Sequence, residues 1–252
     1  MLDRIQLKRQ AKEITRGARV SAYRFTLLYL VIGNALQLID TYLSGSVAAY
    51  MQLNFPELPV PEFLLQTATV PGTVTLFVSV MVMLLVAVLN AGCVLYHLGV
   101  HRGEEMGYTT LFDGFSFVGK VILLNLAVAA SVWLWSMLFV IPGIIAAYRL
   151  RFAVHNLCEN PEMGVMEAMN MSTAQTRGFK MDLFVLDITF FGWRMLSLLT
   201  MGVLDIWVTP YIVQTNVGYF QQIKKIKGIG WFPPRQEDDG QFHGQDPFGP
   251  NA

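Results

Sequence analysis

An all-α fold, a polytopic transmembrane helix bundle with six spans and amphipathic surface helices, is what this sequence predicts. Three observations predict it. Of the 252 residues, 54% are hydrophobic and only 14% are charged, with a mean hydropathy of +0.45. Soluble domains carry about 25% charged residues. Five long apolar tracts recur along the chain, and they reach the roughly 20 residues a spanning helix needs. One such helix is common in a soluble core, but several in one chain are not. Lysines and arginines collect in alternate connecting segments, as the positive-inside rule requires.

Residues 1–24 form a basic amphipathic helix candidate on the cytoplasmic side. Leu7, Ala11, Ile14, Ala18 and Ala22 recur at three- and four-residue steps, which makes one apolar face. Arg4, Lys8, Arg9, Lys12, Arg16, Arg19 and Arg24 fill much of the rest. Such a helix suits an anionic lipid surface, and equally a basic flank that only sets topology. The charged stretch is long for a cleaved leader, so the first tract reads as an anchor that stays.

The transmembrane domain is expected over 25–227. Its first span runs from about Phe25 to Ser46, and its second from about Thr73 to Val100. Between them lies a Pro-rich loop with Glu57 and Glu62 and no lysine or arginine. Apolar sequence from Phe117 to Leu150 is too long for one crossing: 34 residues at 1.5 Å each make about 50 Å, against a core of ~30 Å. Pro142 suits the first turn of a new helix, and Gly143 permits a tight turn beside it. A third span to about Leu138 and a fourth from Pro142 to about Cys158 follow. Residues 159–181 are polar enough to leave the bilayer and predict a short surface helix carrying Met163, Met166, Met169 and Met171. The fifth span is placed at about Asp182 to Leu199 and the sixth at about Val203 to Phe220. Pro210 is expected to break the last one. Residues 228–252 are Gly-, Pro- and polar-rich and read as a disordered cytoplasmic tail.

With six spans the outer loops, 47–72, 139–141 and 200–202, lack Lys and Arg. Both termini then lie on the cytoplasmic side. Five spans, the alternative, would place the segment with Arg177 and Lys180 outside, together with one terminal basic cluster.

Ionisable groups inside a bilayer are costly and should find partners. Arg151 and His155 share a helix face, as do Asp187 and Arg194, while Arg149 points elsewhere. Two polar layers are expected: an inner one of Arg151, His155 and Asp187, and an outer one of Asp40, Arg194 and Asp205. A structural role, charges neutralising each other and fixing helix register, is favoured over a solute or proton path.

Catalytic chemistry is not indicated. His97 and His101 are four apart, but "HLGVH" lacks the glutamate of a zinc-protease motif. No phosphate-cradling glycine loop is present, and the expectation is no metal and no cofactor. Zero net charge argues against nucleic acid. Cys93 and Cys158 fall in or beside apolar tracts and do not suggest a disulfide framework.

The block "LWSMLFVIPGIIAAYRLRF", the run "EAMNMSTAQTRGFKMDLFVLDITFFGW" and the ending "LTMGVLDIWVTPYIVQTNVGYF" resemble an uncharacterised bacterial membrane family, domain of unknown function 975. The N-terminal "LKRQAKE" is similar to its Lys-x-x-Ala-Lys opening. The resemblance implies a multi-pass protein of a bacterial plasma membrane and no particular activity. Arg149 and Arg151 stand where the family often has small or hydroxyl residues. The role expected is non-enzymatic: membrane assembly, protein partners or self-association. A small-solute transporter using the intramembrane charges is the alternative.

Overall fold

The computed structural model describes residues 4–17, 21–44, 48, 51–53, 57–65, 71–200 and 202–230. Among these residues the structure is helical, with no strand. The helices are α1 (Arg4–Gly17), α2 (Ala22–Leu43), α3 (Gly72–Arg102), α4 (Val118–Leu138), α5 (Val140–Arg149), α6 (Ala153–Glu159), α7 (Val165–Thr176), α8 (Lys180–Leu199) and α9 (Asp205–Lys227). A 3-10 helix, Tyr108–Phe117, leads into α4, and a single turn, Glu62–Leu65, precedes α3. Most of the predicted tail lies outside the described residues.

Three stretches are long and apolar enough to cross a membrane: Ala22–Leu43, Gly72–Arg102 and Tyr108–Leu138. The other three expected spans fare differently. The fourth is not one helix but two, α5 and α6, of ten and seven residues. Helices α8 and α9 have the length, at 20 and 23 residues, but α8 carries more charge along it, and α9 carries the amides Gln214, Asn216, Gln221 and Gln222. Asp182, Asp187 and Arg194 lie in α8 and Asp205 in α9.

Packing is uneven along the long helices. In α3 every buried residue except Val82 lies at or beyond Val88, and in α2 the buried residues are Ala22, Phe25 and Thr26. The two helices are antiparallel, since Phe25 stacks on Tyr96 at 3.7 Å while Asp40 meets Ser79. Their packed ends therefore share one side, and their bare apolar ends share the other. The 3-10 helix lies so close to the packed end of α3 that a Cβ at Gly92 would sit 2.0 Å from the Leu111 carbonyl oxygen. Only glycine permits that approach.

Helices α4 and α5 form a tight hairpin through the extended Phe139. Pro142 stands in the first turn of α5, and a Cβ at Gly143 would fall 2.0 Å from Ser136 Oγ. The tip is bare: Met137, Leu138, Phe139, Val140 and Ile141 are all highly exposed. The chain then returns along α4, for Lys120 at the start of α4 donates to the Pro161 carbonyl just beyond α6.

Two expectations need correction. Pro210 does not break the last helix; it is buried inside a continuous α9. It stands in the second turn, where its missing N–H removes one bond, to Ile206, and only five residues precede it. Helix α7 does not present a surface of four methionines either. Ala168, Met169, Ser172, Gln175 and Thr176 are buried, and Met163 joins the core, which leaves Met166 as the plainly exposed methionine of that group.

Candidate functional site

The break between α5 and α6 frees backbone groups at Arg149 and Phe152, and α7 supplies them with partners. Ser172 Oγ donates to the Arg149 carbonyl at 2.9 Å and accepts from the Phe152 N–H at 3.1 Å. Thr176 Oγ1 lies 3.2 Å from the same carbonyl as a second available donor, its nearest acceptor being the Ser172 carbonyl at 2.9 Å. One hydroxyl thus replaces the helical bonds that the chain gives up. Buried backbone groups need such partners.

Arg151 sits in that break and forks onto Asp187 of α8. Its Nη1 reaches Oδ2 at 2.5 Å and its Nη2 reaches Oδ1 at 2.8 Å. Nη2 also donates to Asn216 Oδ1 of α9 at 2.9 Å, and Tyr148 donates to Asp187 at 2.9 Å. The guanidinium and the carboxylate are thereby satisfied by each other and by two neutral neighbours. A bidentate pair of this kind fixes three helices relative to one another.

His155, placed in the same layer by spacing, is not hydrogen-bonded to either. It is buried between Phe152 and Phe220, with ring centroids at 5.5 and 5.4 Å. Both its ring nitrogens lack partners among the described residues. Arg149 turns away and lines a small hollow with Trp135, Pro142, Ile145, Ala146 and Lys180. The outer layer does not assemble as expected. Asp40 accepts from Ser79 Oγ at 2.5 Å because α2 and α3 are neighbours. Arg194 and Asp205 do come together, as walls of one cavity between α8 and α9.

Sequence reasoning missed the most buried ionic group. Glu159, at the end of α6 and with no exposed side-chain surface, accepts from Arg102 of α3 at 3.0 Å and from Lys224 of α9 at 2.7 Å. Gln221 Nε2 adds a third bond. Burial pulls the Lys224 ammonium below the ordinary lysine value, and the bond and charge of Glu159 hold it up against that pull. Beside it Asn156 and Gln175 exchange two amide bonds of 2.9 Å each. Gln214 links α9 to α3, at 2.8 Å from His97 Nδ1 and 3.3 Å from His101 Nδ1. The available signal was a glutamate closing an apolar tract with basic residues at two other helix ends.

Helix α1 also joins the bundle. Leu7, Ala11 and Thr15 are buried, and Lys8 donates to Thr189 Oγ1 at 2.7 Å while lying over the Phe190 ring. Its apolar face is covered by α9, so that face is not open to lipid, while Arg9, Lys12 and Arg16 remain exposed.

Residues 132–227 match the model of a family described as protein of unknown function (DUF975). The quoted motifs from Trp135 to Phe220 fall within this stretch, and the family resemblance holds there. The DUF975 segment contains the hairpin tip, the broken helix, the Arg151–Asp187 pair, Glu159, and the cavity of Arg194 and Asp205. Arg102, His97 and α1 lie outside it. Comparison with curated proteins and with solved structures gave no match.

The cavity of Arg194 and Asp205 has a volume of about 570 Å³. Ser197, Thr209 and Asn216 line it with Arg194 and Asp205, and Leu198, Ile212 and Val213 supply apolar wall. That volume falls in the range of small-molecule sites, roughly 300–1,000 Å³. No group of three or more His, Cys, Asp or Glu positioned to hold a metal occurs among the described residues.

Proposed function

We propose that this chain is a multi-pass integral membrane protein of a bacterial plasma membrane with a non-enzymatic role in membrane assembly or partner interaction. The observation that carries the reading is the distribution of bare apolar surface. It gathers at the ends of α2 and α3 that leave the bundle, at the α4–α5 tip, where Phe139, Val140 and Ile141 are 71%, 73% and 71% exposed, and at the α8–α9 turn, where Leu198 and Leu199 are 72% and 80% exposed. In water such a surface would be a severe aggregation liability; in lipid it is ordinary. Arg24 and Arg102 lie at the packed ends of α2 and α3, and Lys224 shares Glu159 with Arg102, which supports a cytoplasmic placement of both termini.

Anionic lipid remains the partner proposed for α1, through the exposed row of Arg9, Lys12 and Arg16 rather than through its covered apolar face. The transport reading loses support at Arg151 and Asp187, whose charges close on each other, and keeps it at the cavity of Arg194 and Asp205.

Alkaline carbonate extraction of membranes from expressing cells tests the placement. The chain should stay in the pellet, and release into the supernatant would overturn the reading. Gentle solubilisation followed by affinity capture tests the role. Recovery of this chain alone, as a monomer, would count against assembly with partners.

A further inference from the structure

The cavity between α8 and α9 combines features that the packed charge clusters lack. Arg194 is exposed at its wall and makes no ion pair among the described residues. Ser197 lines the same cavity with its hydroxyl buried out of reach, whereas Thr209, half-buried on α9, adds a hydroxyl-bearing side chain to the wall. Asn216 has its amide oxygen taken by Arg151, so its NH2 group is the donor left for the cavity. Asp205, in the first turn of α9, supplies a carboxylate on the other side of the space.

A guanidinium with hydroxyl and amide donors suits an oxyanion of a carboxylate or phosphate. A carboxylate in the same cavity disfavours a plain anion and favours a ligand that also carries a positive group. We infer that this cavity binds a small zwitterion, its oxyanion held by Arg194, Thr209 and Asn216 and its ammonium by Asp205. In a membrane the chemistry is met by the phosphoethanolamine headgroup of a lipid; in water it is met by a free phosphoethanolamine or an amino acid. The inference deepens the reading above and rests on membrane placement only for the lipid source. Carbonate extraction tests that placement separately.

The experiment is calorimetric titration of the full chain in phosphatidylglycerol nanodiscs with three probes: dihexanoyl phosphatidylethanolamine, O-phosphoethanolamine and L-serine. At least one should bind saturably, and Arg194→Gln and Asp205→Asn should each weaken it by about tenfold or more, as expected when a charged hydrogen bond is lost. Binding of the lipid probe alone assigns the site to a headgroup, and binding of the soluble probes alone assigns it to a solute. Arg194 is exposed, so its variant should keep the monodisperse profile of the parent. If Asp205→Asn does not fold, Thr209→Val serves as the second variant. Absence of saturable binding by all three probes overturns the inference, and so does binding that survives both substitutions.

Discussion

Replacing Ser172 by alanine isolates what holds the returning helix in two pieces. The side chain is fully buried and its hydroxyl serves both sides of the break. In Ser172→Ala the Arg149 carbonyl regains a donor when Thr176 turns its single proton to it from the Ser172 carbonyl, which lies closer at 2.9 Å. The Phe152 N–H loses its acceptor in a dry environment. An unsatisfied buried donor costs about 1–3 kcal/mol, so about 2 kcal/mol is expected. For a chain of this size that lowers Tm by about 4–8 °C.

Cys93 and Cys158 are both free and buried, so reaction with a thiol-sensitive dye during heating reports unfolding without added probes. Thr173→Ala is the control. Its hydroxyl bonds only to the Met169 carbonyl within its own helix, at 2.9 Å, and bridges nothing. Its loss should shift Tm by about 1 °C or less. Adding Thr176→Val to Ser172→Ala should deepen the loss, because both donors to Arg149 are then gone. A Ser172→Ala melt that coincides with the parent would refute the claim that these hydroxyls stand in for the missing helical bonds.

Other substitutions test the neighbouring contacts. Glu159→Gln leaves the buried Lys224 without its counter-charge and should destabilise by about 3–5 kcal/mol; measurable recovery is expected in Glu159→Gln with Lys224→Met, read by the same melt. Asp187→Asn should cost less, about 1–2 kcal/mol, because its side chain is 35% exposed and water screens the pair. Gly143→Ala forces a Cβ onto Ser136, and Ser136→Gly should restore part of the lost Tm by removing the atoms in the way. Pro210→Ala should leave stability unchanged or slightly raised, since α9 already runs through that position and gains an N–H.

The α4–α5 hairpin was legible because its causes are local. Excess length and a Pro-Gly pair require a turn near residue 140, and the turn is there. The break at Leu150–Phe152 was not legible. No proline or glycine marks it, and the groups that sustain it, Ser172 and Thr176, arrive from another helix. On the sequence Ser172 is merely a small residue on a weakly apolar face. The Arg151–Asp187 pairing could be anticipated because both charges interrupt apolar tracts and have opposite sign. Asp40 could not be assigned the same way, since the choice between Ser79 and Arg194 depends on which helices are neighbours. Glu159 was passed over because a carboxylate at a tract end reads as solvated until Arg102 and Lys224 are seen to converge on it.

The position of α9 beside α3 bears on how many crossings the chain completes. Gln214 meets His97 and His101, and a Cβ on Gly218 would lie 3.9 Å from the His101 ring. The two helices thus advance together in one direction, with position 214 level with 97. Counting back at one residue per residue puts Asp205 level with Val88. The stretch of α3 from Gly72 to that point, about 24 Å at 1.5 Å per residue, extends past the start of α9 and is where α3 is bare. Helix α1 shares this level, with Thr15 and Val208 lining one hollow. Were α9 to cross lipid, the exposed Arg9, Lys12 and Arg16 would be carried in with it, at roughly 3 kcal/mol each. On the proposed membrane placement, the α8–α9 turn should therefore stop short of the far surface that the start of α3 reaches. Single cysteines at Thr73 and Val203, in a chain with Cys93 and Cys158 replaced, test this with a membrane-impermeant maleimide applied to intact cells. Thr73→Cys should label and Val203→Cys should not. Equal labelling of both from outside would restore six full crossings and refute the shared level of α1, α3 and α9.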